Sequence, residues 1–458
     1  MQLSSNLLAE YAMEVSFESL PEEVVEQTER LVLDSLGCCV GAYTSEPSKA
    51  LRETFADRTA PDSATVLGTD REIPVEYAAL VNGAMVRYLD YNDCYISGSS
   101  VCHPSDHIPA LLAVAEAEGR TGRELIEAIV VAYEIQSAGI DTGAIWDNGF
   151  DYVTWGTYSS AAAVGKLMGL SKDQLVDAIG IAGTSSNGLL VSRLGDVSMW
   201  KGVAMPYVAH NAVQACGMAR NGLTGPTAVF EGEGGFFETV AQDEVAVEEW
   251  GGRDGASYRI TRTNFKPYAC GYFMQAPITA VLDLVETHEI APDEIEAIEI
   301  EEFEQAVQVL ASPEKWSSDL NRETADHSIP YSVAVGILDG EVTPRQYAPD
   351  RLSDPQVHDL MATVSVSEAP DITRRRAENP GLIPARARVT TAEGTYETEI
   401  DYPNGHWQQP MSDEELGAKF DALVEGLLTE SQAAGVREWC LSLDTVDEVG
   451  SVFADLRV

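Results

Sequence analysis

The alternation of apolar and polar positions divides the chain into two textures. From Pro21 to about Tyr43, Val24, Val25, Leu31, Val32, Leu36 and Val40 recur at helical spacing, which predicts a helix with one buried face and Pro21 at its first turn. Within it, Asp34-Ser35-Leu36-Gly37 is small enough for close packing. Further helices are expected at about 75 to 90, 107 to 118, 122 to 140, 157 to 169, 172 to 182 and 202 to 221, several ending in Gly or Asn with basic residues nearby. The first half reads as nearly all helix.

After the Gly-rich run Glu231-Gly232-Glu233-Gly234-Gly235-Phe236-Phe237 the texture changes. That run follows no strand and carries no basic residue, so it reads as a tight connection and not a phosphate loop. Alternation predicts strands at Ser257 to Thr263 and Ile295 to Glu301, with a helix between them from about Gln275 to Glu289. A helix at Ile329 to Leu338 comes next, then strands at 362 to 368, 385 to 391 and 395 to 401, the last two joined as a hairpin by Ala392-Glu393-Gly394. Helical texture returns after Pro403, with one helix opening at Asp413-Glu414-Glu415 and another from Ser431 to Leu443. The fold class is therefore mainly α with an α+β insert. No internal repeat or low-complexity linker interrupts it.

A chain of 458 residues, 45% of them hydrophobic, can build substantial cores and more than one domain. Its formal net charge of −45 comes from 74 acidic against 29 basic residues, spread along the chain and not gathered in a tail. Such a surface suits a halophile and argues against nucleic-acid or anionic-membrane partners. The start, Met1-Gln2-Leu3-Ser4-Ser5-Asn6, has no basic region followed by an apolar core, and no apolar run reaches a membrane span, so a cytoplasmic protein is expected. The seven cysteines are odd in number and form no C-x-x-C pair, which speaks against a zinc site or a disulfide framework.

Candidate chemistry concentrates in one block. An apolar helical stretch from Asn82 delivers Asp90 and Asp93 at its end, and a small-residue loop leads to Cys102-His103-Pro104-Ser105-Asp106-His107. A carboxylate that orients an imidazole is equipment for moving protons. The alternative is a solvated loop with Ser105-Asp106 capping the next helix. Lysine is scarce, so Lys201, between Trp200 and Gly202, and Lys266, in Phe265-Lys266-Pro267-Tyr268, stand out in their apolar settings. Either is a packed stem with a solvated head, or the two form a positive site for a substrate with several carboxylates and for charge that builds beside a carboxylate. Asp326-His327-Ser328-Ile329-Pro330-Tyr331 adds a possible phenol donor, or merely starts a helix.

Taken in order, Asp34 to Gly37, Asn82 to Asp106, Gly165-Lys166-Leu167-Met168-Gly169-Leu170, Trp200-Lys201-Gly202, Leu223-Thr224-Gly225-Pro226, Phe265 to Tyr268 and His327 to Gly340 resemble the MmgE/PrpD (2-methylcitrate dehydratase) family. Its relatives include cis-aconitate decarboxylases and an iminodisuccinate epimerase. The resemblance implies a large helical domain from both chain ends, 1–266 and 402–458, a smaller α+β lid at 267–401, a homodimer, and no metal or organic cofactor. It implies an active site at Asp90, His103, Lys201, Lys266 and Tyr331, with Cys94 where relatives usually carry Thr. His103 would move the proton and Asp90 would fix its orientation or charge. Lys201 and Lys266 would hold carboxylates and an enediolate, Tyr331 would donate to the leaving hydroxyl or a carboxylate, and His327 would help bind substrate.

Two positions depart from the family pattern. Tyr152 in Gly149-Phe150-Asp151-Tyr152-Val153 stands where dehydratase-like members carry histidine, and Cys270 to Gln275 lacks another histidine common after the family lysine. The leading expectation is a cofactor-independent hydro-lyase acting on a 2-methylcitrate-like tricarboxylate. Decarboxylation of a cis-aconitate, or epimerisation of a small dicarboxylate, shares its first needs. An inactive carboxylate-binding protein is the reading from another class.

Overall fold

The computed structural model describes residues 3–98, 100–143, 145–194, 197–245 and 250–458, so the first two residues of the expected leaderless start lie outside it. The helix of the first apolar stripe runs Glu22–Gly41 and buries Val24, Leu31, Val32, Leu36 and Val40. Gly37 matters there because the side chain of Phe420, on the Asp413–Val424 helix, would lie 3.1 Å from an added Cβ. Val75–Tyr88 and Gly122–Asp141 pack on it, and Ile108–Ala117, Val153–Leu167, Ala204–Arg220 and then Lys172–Ser185 stack on those in turn. Thr121 with Glu124, and Ser171 with Gln174, close reciprocal caps that satisfy the first free N–H groups of two of these helices. Helices Ser4–Glu14 and Glu46–Thr54 also form, although the apolar pattern is too short at both places to announce them.

Four strands form a single sheet in the order Val364–Glu368, Ile295–Glu302, Ala385–Thr391, Gly394–Ile400, with the first pair parallel and the others antiparallel. Ala385, Ala387, Val389 and Thr391 point inward, and the Gln275–Thr287 helix packs against this strand and its neighbour. On the other face Arg386 and Arg388 sit among Glu301, Glu397 and Glu399 in a cross-strand ladder of ion pairs. The molecule is thus mainly helical with an α+β part. The helices Asp413–Val424 and Glu430–Cys440 near the chain end both pack on Glu22–Gly41.

One expected strand is absent. Ser257 to Thr263 forms a 3₁₀ turn, Arg259–Arg262, because Glu134 from the Gly122–Asp141 helix accepts the backbone N–H groups of both Arg259 and Ile260. A buried carboxylate takes the donors that a sheet neighbour would have used. The loop expected before His103 is in fact a short hairpin, Tyr95–Ser97 with Ser100–Cys102. Among the described residues no helix is long and apolar enough to cross a membrane.

Candidate active site

The Val75–Tyr88 helix ends by turning Asp90 into the left-handed region, at φ +51°. Aspartate tolerates this better than most residues, and the turn swings its carboxylate back to Arg87 Nη1 at 2.9 Å. Three more groups converge on it. Lys201 Nζ lies 2.7 Å from Oδ2, Lys266 Nζ 2.7 Å from Oδ1 and 2.8 Å from the backbone oxygen, and His327 Nε2 3.2 Å from Oδ2. Arg87, Lys201 and Lys266 outweigh the cost of burial and hold the Asp90 carboxyl well below the usual carboxylate range.

His103 sits after the hairpin, facing a cavity of about 110 Å³ whose wall also includes Arg87, Asp90, Asp151, Tyr152, Arg193, Lys201, Tyr272, Phe273 and His327. Its Nδ1 donates to the backbone oxygen of Asp93 at 2.7 Å. A carbonyl only accepts, so Nδ1 carries the hydrogen and Nε2 keeps the lone pair in the neutral ring. Burial, with Arg87 and Lys266 nearby, pushes its pKa well below the ordinary histidine value. The Asp93 side chain faces elsewhere: it accepts from Ser105 Oγ at 2.5 Å and Tyr133 OH at 2.8 Å, and burial raises its pKa to about 7.

This corrects two expectations. Asp90 does not orient His103, since no hydrogen bond joins them among the described residues; a peptide carbonyl does, and Asp90 acts on the imidazole through its charge, raising the pKa against the larger effect of burial. Ser105 and Asp106 do not cap a solvated helix start but lie buried, Ser105 on Asp93 and Asp106 accepting from Asn92 and Tyr152. His107 is a core residue, held by Ser160 and Gln136 with its pKa lowered to about 3 by burial.

Of the other expected positions, Lys201, Tyr152 and His327 line the cavity with His103 and Asp90. Lys266 is fully buried behind Asp90. Cys94 is also buried and outside the cavity wall, in a backbone bridge with Asn264. Tyr331 stands outside too, donating to the Gln346 backbone oxygen at 2.6 Å within the Ile329–Asp339 helix packing.

Three site groups carried no signal of their own in the sequence. Arg193 pairs with Asp151 at 2.7 Å and lies over the Tyr152 ring, Arg87 closes on Asp90, and Asp326 meets both His327 Nδ1 at 2.5 Å and Lys201 at 3.2 Å. Lysine scarcity pointed to Lys201; arginine is too common here for the same reasoning. Arg193 Nη2 is buried with no hydrogen-bond partner among the described residues. Ligand atoms of Asp90, Asp326 and His327 fall within 4.8 Å of one another and could hold a cation, yet the Lys201 ammonium stands among them, 3.1 Å from His327 Nδ1. Burial lowers the Lys201 pKa from its ordinary value.

The MmgE/PrpD N-terminal domain matches residues 6–248 and the MmgE/PrpD C-terminal domain residues 268–444. A 2-methylcitrate dehydratase from Cupriavidus necator is 27% identical, with 82% of this chain and 80% of that protein covered. A cis-aconitate decarboxylase from Aspergillus terreus is 24% identical, covering 96% and 93%, and a mitochondrial 2-methylcitrate dehydratase from Yarrowia lipolytica 26%, covering 88% and 80%. Matched along most of its length and in both halves, the chain belongs to the MmgE/PrpD family.

Proposed function

We propose that the protein is a lyase that removes water from a small 2-methylcitrate-like tricarboxylate. The observation that carries this reading is His103: a neutral imidazole, tied at Nδ1, with Nε2 left for a proton in a cavity walled by Arg87, Arg193 and Lys201. His103 takes a proton from the carbon next to a carboxylate, and the electron pair moves onto that carboxylate as an enediolate. Guanidinium and ammonium groups stabilise the charge where it builds. The neighbouring hydroxyl then leaves as water with a proton from Lys201, whose acidity burial increases. Lys266 acts through Asp90, not on substrate.

Decarboxylation of a cis-aconitate is the second reading, favoured by the coverage of the Aspergillus terreus relative along nearly the whole chain. The same proposal divides the chain at 1–266 with 402–458, and 267–401, supported by the packing of the last two α-helices on Glu22–Gly41. It also includes a homodimer: Leu189, Val191, Trp200 and Tyr207 are exposed apolar side chains around the segment that carries Arg193 and Lys201. Seven buried free thiols suit a reducing, cytosolic setting.

Proton NMR in D₂O with 2-methylcitrate and cis-aconitate in separate tubes tests the activity. A new unsaturated acid from 2-methylcitrate is expected, and carbon dioxide release from cis-aconitate alone would select the second reading. A folded His103→Ala variant should lose about 10²- to 10⁴-fold in turnover; an unchanged rate would remove His103 from the mechanism.

A further inference from the structure

Most basic side chains of this protein are consumed in ion pairs, as expected where acids so outnumber bases. Lys49, Arg52, Arg71 and Arg457 are exceptions. None pairs with a carboxylate among the described residues, and yet all four line one surface cleft of about 660 Å³. They come from separate pieces of the fold: Lys49 and Arg52 from the Glu46–Thr54 helix, Arg71 from the turn between strands Ser63–Thr65 and Glu72–Pro74, and Arg457 from the chain end.

The cleft is shaped, not loose. Arg52 lies over the Tyr43 ring at 4.1 Å and donates to the Tyr43 backbone oxygen at 2.8 Å, which fixes its guanidinium. Gly68, at φ +87°, lets the turn close on the same ring, where an added Cβ would sit 2.4 Å from Tyr43. The Val458 N–H donates to the Gly68 oxygen at 3.1 Å and pins Arg457 beside it. Burial lowers the Arg52 pKa, and the nearby Tyr43, Cys39 and Glu53 offset this only in part. Glu53 and Asp70 also line the cleft, so the four cations exceed the side-chain acids there.

We infer that this cleft binds a compact polyanion bearing at least two negative groups, of the phosphate or polycarboxylate kind, at a place distinct from the His103 cavity. With a net charge of −45 the protein as a whole repels such a molecule. At physiological ionic strength that repulsion is screened within about 8 Å, so inside the cleft the nearest charges decide. Charge-assisted hydrogen bonds from arginine to oxyanions are short and strong, and forked donors suit two oxygens at once.

Isothermal titration of the full chain with inorganic pyrophosphate, and separately with citrate, tests this at the lowest salt that preserves the native circular dichroism. Saturable pyrophosphate binding at one site per chain is expected, weakened at least tenfold in the Lys49→Gln/Arg71→Gln variant. Both of those side chains are exposed and outside the proposed catalytic machinery, so turnover should be unaltered. Citrate affinity that falls in the same variant marks a polycarboxylate site; citrate affinity that survives belongs to the His103 cavity and leaves phosphates as the source. Pyrophosphate binding that is absent, or equal in parent and variant, together with citrate binding unaffected by the substitutions, overturns the inference. Should the double variant lose its native spectrum, the single Arg71→Gln variant is read in its place.

Discussion

At His103 one hydrogen bond decides which nitrogen can act. Burial and neighbouring cations favour the neutral ring, so the base stays available down through its ordinary pKa of about 6.5. kcat/KM is therefore expected to stay level as pH falls to about 6.5 and to decline only below it; a pH profile whose acid limb is centred above 6.5 would contradict this. The stability sign agrees. With a depressed folded pKa, the unfolded chain gains a proton first, so this contribution is present above about 6.5 and lost as pH falls toward the folded value. Asp93 acts oppositely: its raised pKa of about 7 favours the folded state on the acid side and disfavours it as pH rises through 7. Tyr331 gives a second test at this scale. Its hydroxyl serves the Gln346 carbonyl, so Tyr331→Phe should cost about 1 kcal/mol in thermal unfolding and leave turnover within twofold. A hundredfold loss of turnover would return the phenol to the chemistry. Residue types were legible in the sequence at Asp90, His103 and Lys201 because scarcity or spacing marked them. The peptide oxygen of Asp93 could not be, since every residue carries one.

Among elements, those with long apolar periodicity were legible nearly to the residue, as with Glu22–Gly41 and Ala385–Thr391. Misreadings arose where a distant side chain took over the backbone, as Glu134 does at Arg259–Arg262. A comparable reach crosses from the α+β part to the hairpin ahead of His103. Arg376, on the Pro370–Glu378 helix, lies over both the Phe273 and Phe303 rings and donates to the Gly98 oxygen at 2.8 Å. Phe273 walls the cavity, so this one side chain braces two parts of the site. Arg376→Leu should lower kcat/KM by about tenfold or more, given the cost of misplacing a positioned group, with faster hydrogen exchange in residues 95–102. Unchanged exchange there would show that the hairpin holds without it.

For the whole molecule, charge is the governing quantity. Lys201, Lys266, Arg87 and Arg193 are matched in the site by Asp90, Asp106, Asp151 and Asp326, so the cavity is near neutral in a protein of net charge −45. A tricarboxylate approaches against the global field and gains only at short range. At 1 M salt the field shrinks to about 3 Å, and both activity and the proposed dimer should strengthen with salt. Turnover and light scattering across a potassium chloride series check this; a monomer with full activity in dilute buffer would refute both.

Lys419 reaches from the Asp413–Val424 helix to Asp34 at 2.6 Å and to the Tyr91 backbone oxygen at 2.7 Å, one residue from Asp90. Without it the buried Asp34 loses its paired cation and keeps only the more distant Lys266 and Arg30, and the loop that presents Asp90 loses its prop. The loop that presents Asp90 is therefore braced by a side chain 328 positions further along the sequence, so the cavity and that late helix fold as one cooperative unit.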